Sequence, residues 1–348
     1  MDFKNFTAGV NDEGKRIDKM LRILIPQTSL TEIYRLIRKK FIKINNHNIK
    51  ENYRIKNGDV ISIPSFIFSN CEDNKNTNAE QFCQKENIKS EIEKNKSLEQ
   101  LEIVFENNHI LIINKPYDIN VHGDKNSLEK KVQNYFLQKQ NYSLTFKSGP
   151  LHRLDKKTTG LLAFSMSLDG ARWFSQNIQN HKIQKTYYTI LQGKAGSIQH
   201  QDLWSDYIEN NYEQQNSFYI VNAFGKNEYE KRKDEKNTVK NAELLITPLA
   251  YGKYEQTDVT FARIHLITGR KHQIRAQSAM HGYPLLGDSY YGSHINLKKN
   301  GFPQDFYLQS AQMDFPQNNL NIPLQIKISL SNDFKNILKS CSIQKTDI

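Results

Sequence analysis

The sequence predicts an α+β protein of two domains. Three observations carry this. Residues 13–64 hold two amphipathic helical runs and two short strand-like runs, residues 65–100 are polar and of mixed charge, and from residue 101 apolar runs of strand length alternate with three helical stretches.

At 348 residues the chain is long enough for two domains with sizeable cores. Its 48 Lys and Arg against 37 Asp and Glu leave a net charge of +11, which points to a polyanion partner, nucleic acid before membrane. The same surplus also fits a chain simply rich in Lys, Asn and Ile. No segment approaches the length of a membrane-crossing helix and no apolar run follows the N-terminus, so a cytoplasmic protein is expected. Cys71, Cys83 and Cys341 fall in polar segments without a CxxC pair, and the 10 histidines lack metal-ligand spacing. Neither a disulfide framework nor a structural metal is expected. Nothing calls for an obligate partner subunit, so a monomer is expected.

In the first domain, Ile17, Met20, Leu21 and Leu24 recur at helical spacing until Pro26 ends the run. Ser29-Leu30-Thr31-Glu32 matches a capping box and starts a second helix, with Ile33, Leu36 and Ile37 on one face and Arg35, Arg38, Lys39 and Lys40 crowding the rest. A strand is expected over 41–44, a turn at Asn45-Asn46, another turn at Asn57-Gly58-Asp59 and a strand over 60–63, closed by Pro64. The 65–100 stretch reads as a flexible linker, with a loose helix possible over 88–101. Strands are then expected at 101–105, 109–114, 160–166, 186–191, 244–249 and 259–267, and helices at 127–139, 168–180 and 271–281. The polar stretch 196–240 reads as loops and a short hairpin. Residues 333–348 read as a frayed tail.

One string stands out. Asp155, in His152-Arg153-Leu154-Asp155-Lys156-Lys157-Thr158-Thr159-Gly160, sits at the lip of the apolar run Leu161-Leu162-Ala163-Phe164. A carboxylate there is costly to bury without a partner, so it is either half-exposed or deliberately paired. Both states suit a catalytic acid or nucleophile; the plainer alternative is an Asp capping an ordinary loop.

Four segments in order resemble the RluA family of RNA pseudouridine synthases: Asn114-Lys115-Pro116 with Val121-His122; His152 to Asp155 with Thr158-Thr159-Gly160; Lys185-Thr186-Tyr187 with Gly193; and Thr268-Gly269-Arg270-Lys271-His272-Gln273-Ile274-Arg275 followed by Gly282, Pro284-Leu285, Gly287-Asp288 and Tyr291-Gly292. The chain departs from the family at Asp118, usually Gly, and at Ser310-Ala311, often His-Ala. The N-terminal line from Arg16-Ile17-Asp18-Lys19 through Tyr34-Arg35-Leu36-Ile37-Arg38-Lys39-Lys40 to Lys56-Asn57-Gly58-Asp59 resembles an S4 RNA-binding domain. The two resemblances imply an S4 domain at 13–64 and a catalytic domain at 101–332 built on a central mixed, largely antiparallel sheet flanked by helices and loops.

They also imply a reaction: a uracil base is detached from N1 and reattached through C5 to the same sugar carbon, with no cofactor. Asp155 would act at C1′ or otherwise start the exchange. No second carboxylate is needed, because no water is activated. Arg275 would face Asp155 in a forked contact that fixes its geometry and charge. Alone, Arg275 could equally be a phosphate contact. Tyr187 would stack on the flipped uracil and offer its hydroxyl to the C5 proton step, while Tyr188 points to the opposite face. Arg153 would fill the space that the base vacates. His152 would either line the RNA groove or be a hydrogen-bonded loop histidine. Arg270 and His272 would position RNA or brace their loop, and Gly287-Asp288 would be a structural turn.

An S4 module ahead of such a domain is most similar to the RluC and RluD branch, which acts on large-subunit ribosomal RNA. A tRNA substrate and a non-catalytic RNA-binding protein are the alternatives, and the joint presence of Asp155, Tyr187 and Arg275 speaks against the second. Residues 31–56 carry eight Lys or Arg against two Glu, with Arg35, Arg38, Lys39, Lys40 and Lys43 as the expected RNA contacts. Reversing the charge of Arg38, Lys39 and Lys40 together should weaken RNA binding and reduce the slope of log K against log salt concentration by about 1 per lost phosphate contact. A filter-binding titration at several salt concentrations reads this, and an unchanged slope would make the face mere solvated surface.

Overall fold

The computed structural model describes residues 2–69, 101–138, 143–213, 218–226, 228 and 239–343. They form two compact units. The first holds the described residues of Met1–Leu101 together with Glu129–Gly149 and Met166–Leu168, and the second holds the remainder.

In the first unit, α1 (Ile17–Leu24) buries Ile17, Met20, Leu21 and Leu24, the stripe that its spacing announces. The Ser29 hydroxyl accepts from the Glu32 backbone N–H and starts α2 (Leu30–Arg38), which buries Ile33, Leu36 and Ile37. These side chains share one core with Ile44, Ile61 and Ile63 from a sheet of four strands, β1 (Phe3–Thr7), β2 (Lys43–Ile44), β3 (His47–Asn48) and β4 (Val60–Pro64), in the order β1-β4-β2-β3. Each fully buried aliphatic side chain there contributes about 1.5–3 kcal/mol. Asn45 and Asn46 both take positive φ, as a two-residue hairpin turn demands.

Two details differ from expectation. The module begins before residue 13, because β1 pairs along the whole of β4, with Phe3 opposite Pro64 and Thr7 opposite Val60. The strand expected at 41–44 is only Lys43–Ile44. Lys40, at φ 63, and Phe41 are spent on capping α2, with Lys40 N–H donating to Ile37 O and Phe41 N–H to Leu36 O.

The first unit also takes in residues from much later in the chain. The carboxylate of Asp12, wholly buried, accepts from Ser143 Oγ at 2.7 Å, Leu144 N at 2.7 Å, Thr145 N at 3.1 Å and Thr145 Oγ1 at 2.6 Å. Leu144 joins this unit's apolar core.

The second unit is built on a 10-stranded sheet in the order β10-β9-β11-β12-β8-β13-β7-β6-β5, with β14 beside β13. The strands are β5 (Ile103–Glu106), β6 (Ile110–Lys115), β7 (Thr159–Ser165), β8 (Gln184–Gln192), β9 (Asp202–Glu213), β10 (Phe218–Phe224), β11 (Val239–Tyr254), β12 (Thr257–Leu266), β13 (Leu308–Asp314) and β14 (Gln325–Lys327). Among the described residues every pairing of this sheet is antiparallel except β13 with β7. The sheet is thus mixed and largely antiparallel, as expected. The four-residue α3 (Phe66–Ser69) and nearly all of α4 (Leu128–Gln138) belong to the first unit, while α5 (Leu168–Gln179, from Asp169 on), α6 (Gln273–Met280) and α7 (Asn332–Ser340) belong to the second. No helix among the described residues is long and apolar enough to cross a membrane.

The hairpin allowed for in the polar stretch 196–240 is present but long, β9–β10 paired from Phe218 opposite Glu213 to Phe224 opposite Tyr207. Its pattern is masked because Asp206 shares the inward face with Trp204 and Ile208, where it accepts from Gln277 Nε2 at 2.7 Å and pairs with His281 at 2.9 Å. The loose helix over 88–101 and most of the 65–100 linker lie outside the described residues, as do Cys71 and Cys83.

Residues 333–343 are not the frayed tail expected from their polarity. Ser331 caps α7 by accepting from Phe334 N, and α7 buries Phe334, Ile337 and Leu338 in the core, followed by Cys341. Cys341 is therefore a core residue, not one in a flexible polar segment. Its carbonyl accepts from Lys253 N at 2.9 Å and lies 2.1 Å from where a Cβ on Gly252 would sit, so only glycine admits this contact. Ile337→Ala should cost about 2–5 kcal/mol. A urea melt reads it, and an unchanged midpoint would return this segment to the status of a tail.

Candidate active site

Asp155 opens the turn into β7, with Thr158 N–H donating back to its carbonyl at 3.0 Å. Gly160 follows at φ +105, where a Cβ would come within 2.1 Å of Ser310 O on β13. Glycine alone permits β7 to start that close to its parallel neighbour. Lys115, at the end of β6, is wholly buried beneath this turn and donates to the carbonyls of Pro116 at 3.0 Å, Lys156 at 2.7 Å and Thr158 at 2.8 Å. Burial pulls its pKa down to about 8, against the opposing pull of Asp155.

The Asp155 side chain is 15% exposed. Arg275 Nη1 stands 4.0 Å from its Oδ2, and His272 Nε2 stands 3.9 Å from its Oδ1. The expected fork between Arg275 and Asp155 is not formed. Arg275 spends its fork on Asp288, Nε to Oδ2 at 2.6 Å and Nη2 to Oδ1 at 2.9 Å. The guanidinium carbon lies 4.7 Å from the Phe306 ring centroid and 4.9 Å from that of Tyr291. Burial disfavours its charge, but the Asp288 contacts outweigh this and hold its pKa above the ordinary value. Gly287-Asp288 is therefore more than a turn: it aims Arg275. At an effective dielectric of 20 a charge pair at 4 Å is worth about 4 kcal/mol. Arg275 thus attracts Asp155 without occupying its oxygens.

His272 caps α6 in the left-handed region at φ 53, and its Nδ1 meets Tyr291 OH at 3.1 Å. Burial drops its pKa to about 4, with Asp155 opposing, so it is a neutral imidazole near neutral pH. The Thr268-Gly269-Arg270 turn before it is fastened by Gln273, whose Oε1 accepts from Thr268 Oγ1 and Arg270 N, both at 2.9 Å. Arg270 braces this loop, donating from Nε to Asn241 O at 2.9 Å.

Tyr187 is 3% exposed and faces a cavity of about 380 Å³ that Asp155, His272, Arg275 and Leu308 also line. Burial pushes its hydroxyl above the ordinary tyrosine range. Tyr188 turns to the other face of β8 and stacks on Phe261 at 5.6 Å. Because β13 lies between β7 and β8, the strand that follows the Asp155 turn and the strand that carries Tyr187 are two spacings, about 10 Å, apart. That spread opens a cavity of a size suited to a small ligand.

His152 behaves as the hydrogen-bonded loop histidine of the two expected alternatives. Its Nε2 accepts from Ala163 N at 3.1 Å, its ring stacks on Phe174 at 6.0 Å, and burial drops its pKa to about 3. It also forms part of the cavity wall, as do Arg270 and the exposed Arg153. Arg35, Arg38, Lys39, Lys40 and Lys43 lie instead on the first unit, all but half-buried Lys43 exposed. There Arg35 is partly occupied by Glu32 at 2.7 Å. Lys115, Lys185, Asp288 and Tyr291 belong to the motif blocks but carry no local sign of a place in or beside the site. Their only sequence signal was membership of those blocks.

Residues 109–280 match the family described as RNA pseudouridylate synthase. An uncharacterized RNA pseudouridine synthase of Mycoplasma capricolum is 28% identical over 89% of this chain and 91% of its own length. The ribosomal large subunit pseudouridine synthase C of Buchnera aphidicola (subsp. Acyrthosiphon pisum) is 27% identical over 94% and 93%. The tRNA pseudouridine synthase C of Yersinia pestis is 29% identical over 64% of this chain and 82% of its own length. The structure of human RNA pseudouridylate synthase domain containing 4 shares the fold at a TM-score of 0.54 and 19% identity, covering 73% of this chain and 98% of that one.

Asp288→Ala would leave a buried guanidinium short of its fork, and should cost about 3 kcal/mol of stability. Urea unfolding of the full-length protein measures it, and a loss under 1 kcal/mol would mean that Asp155 takes over the fork.

Proposed function

We propose that this chain, as a member of the RluA family of RNA pseudouridine synthases, converts specific uridines of large-subunit ribosomal RNA to pseudouridine, with Asp155 as the group that acts on the nucleoside. The observation that supports this best is a carboxylate in a nucleobase-sized cavity, approached at 4.0 Å by a guanidinium that another acid already holds. Such a carboxylate is oriented yet free to engage C1′ or the base. Arg275, pinned by Asp288, supplies a fixed positive charge, so no reorganisation is needed as charge develops.

In this reading the flipped uracil lies against Tyr187, whose hydroxyl passes on the C5 proton released when the base is rejoined. Arg153, exposed at the rim, enters the space left in the RNA stack. The N-terminal module acts as an S4 domain and holds RNA through Arg38, Lys39, Lys40 and Lys43. All these groups come from one chain, so a monomer suffices, and a ribosomal substrate puts the work in the cytoplasm.

The choice of ribosomal RNA rests on coverage. The ribosomal relative from Buchnera aligns over 94% of this chain, the tRNA relative over 64%. Pseudouridine profiling of a strain lacking the gene should show losses in large-subunit ribosomal RNA, and losses confined to tRNA would overturn that choice. On an unmodified ribosomal RNA transcript, Asp155→Ala should abolish product while leaving RNA affinity within about threefold. Tyr187→Phe should lower the rate by about 10²-fold or more and Tyr188→Phe by less than twofold. Equal effects of the two tyrosine substitutions would remove Tyr187 from the chemistry.

A further inference from the structure

Lys185 lies on β8 two residues before Tyr187, on the same face of the strand. It is 9% exposed and forms part of the same cavity wall. Other buried cations of this unit are occupied: Lys115 by three carbonyls, Arg275 by Asp288. Lys185 Nζ has no hydrogen bond and no carboxylate within 4.0 Å among the described residues. A Cβ added to Gly269 would sit 3.6 Å from that nitrogen, so the glycine keeps the space beside it open. Burial alone brings the Lys185 pKa down to about 8, so the ammonium still predominates near neutral pH. An unpaired cation held in a dry wall is retained at a cost, and such costs cluster where a ligand supplies the missing partner.

Two anionic partners are available in an RNA substrate. Backbone phosphates are strongly hydrated and stay outside a pocket that receives a flipped base; at the rim the exposed Arg153 is within their reach. The base itself becomes an anion during the reaction. When the C1′–N1 bond breaks, its electron pair stays with the ring, and the charge spreads over N1, O2 and O4. Later C5 bonds to C1′, the C5 proton leaves and N1 gains a proton, so atoms and electrons balance without a further reagent.

We infer that Lys185 donates from Nζ to a carbonyl oxygen of the target uracil and carries the counter-charge while the base is detached. This rests on the reading of the Asp155 cavity as the uridine site. It makes Lys185 a catalytic residue whose contact strengthens as the leaving base gains charge.

The test is single-turnover pseudouridine formation by the full-length protein on a ribosomal RNA transcript, with RNA affinity and thermal midpoint measured in parallel. Lys185→Met should slow the rate by about 100-fold or more, change affinity by less than about threefold, and leave the midpoint equal or higher, because an unpaired buried charge is gone. Lys185→Gln keeps a donor without the charge, should fall between Met and wild type, and serves alone should the Met variant not fold. A target 5-fluorouridine, whose base leaves more readily, should shrink the Met variant's defect in breaking the N1 link. Weaker affinity with a shallower salt slope and an unchanged rate would make Lys185 a phosphate contact instead. Unchanged rate and affinity with a lower midpoint would make it a packing residue. Both results overturn the inference and leave the Asp155 reading standing, whereas a wild-type protein that modifies no RNA overturns the Asp155 reading itself.

Discussion

The fork between Arg275 and Asp288 is the constraint on which the site depends. A guanidinium free to choose would close on the nearest carboxylate, and Asp155 would then be neutralised and blocked. Asp288 prevents this at 2.6 and 2.9 Å, and the Tyr291 and Phe306 rings hold the guanidinium plane in place. The pair adds little net stability, since burying two charges costs nearly what their attraction returns. Its value is orientation: one acid holds the cation so that another remains open.

The sheet sets the second half of the geometry. Inserting β13 between β7 and β8 separates the Asp155 turn from Tyr187 by a full strand. The parallel pairing of β13 with β7, the single one among the described residues, brings two backbones together where Gly160 has no side chain to obstruct them. The close contact at this glycine and the gap above β13 are therefore parts of one arrangement, and the fold and the cavity cannot be varied independently.

Much of this was legible in the sequence wherever the signal is local. The apolar stripes of α1 and α2, the Ser29 cap and the strands β6, β7, β8 and β12 follow from spacing within a few residues. The motif blocks likewise contain Asp155, Lys185, Tyr187, His272 and Arg275 of the cavity wall, though not Ile178, His181 or Leu308. What stayed hidden depends on distant partners. Nothing near Arg275 says whether Asp155 or Asp288 takes its fork. Asp206 reads as solvent-facing until Gln277 and His281 arrive from another element. The polar residues of α7 mask an apolar face that finds its place only against β11 and its neighbours.

The discontinuous first unit has a consequence for biosynthesis. Asp12 waits for hydrogen-bond donors that lie about 130 positions further along the chain, and the core around Leu21 and Ile33 has a place reserved for Leu144. During translation the opening segment can collapse early, but it cannot reach its final packing until residues 143–145 have left the ribosome. A protein built in this way matures by chain-length checkpoint, and its first unit stays incomplete until the stretch leading directly into the Asp155 turn has been made.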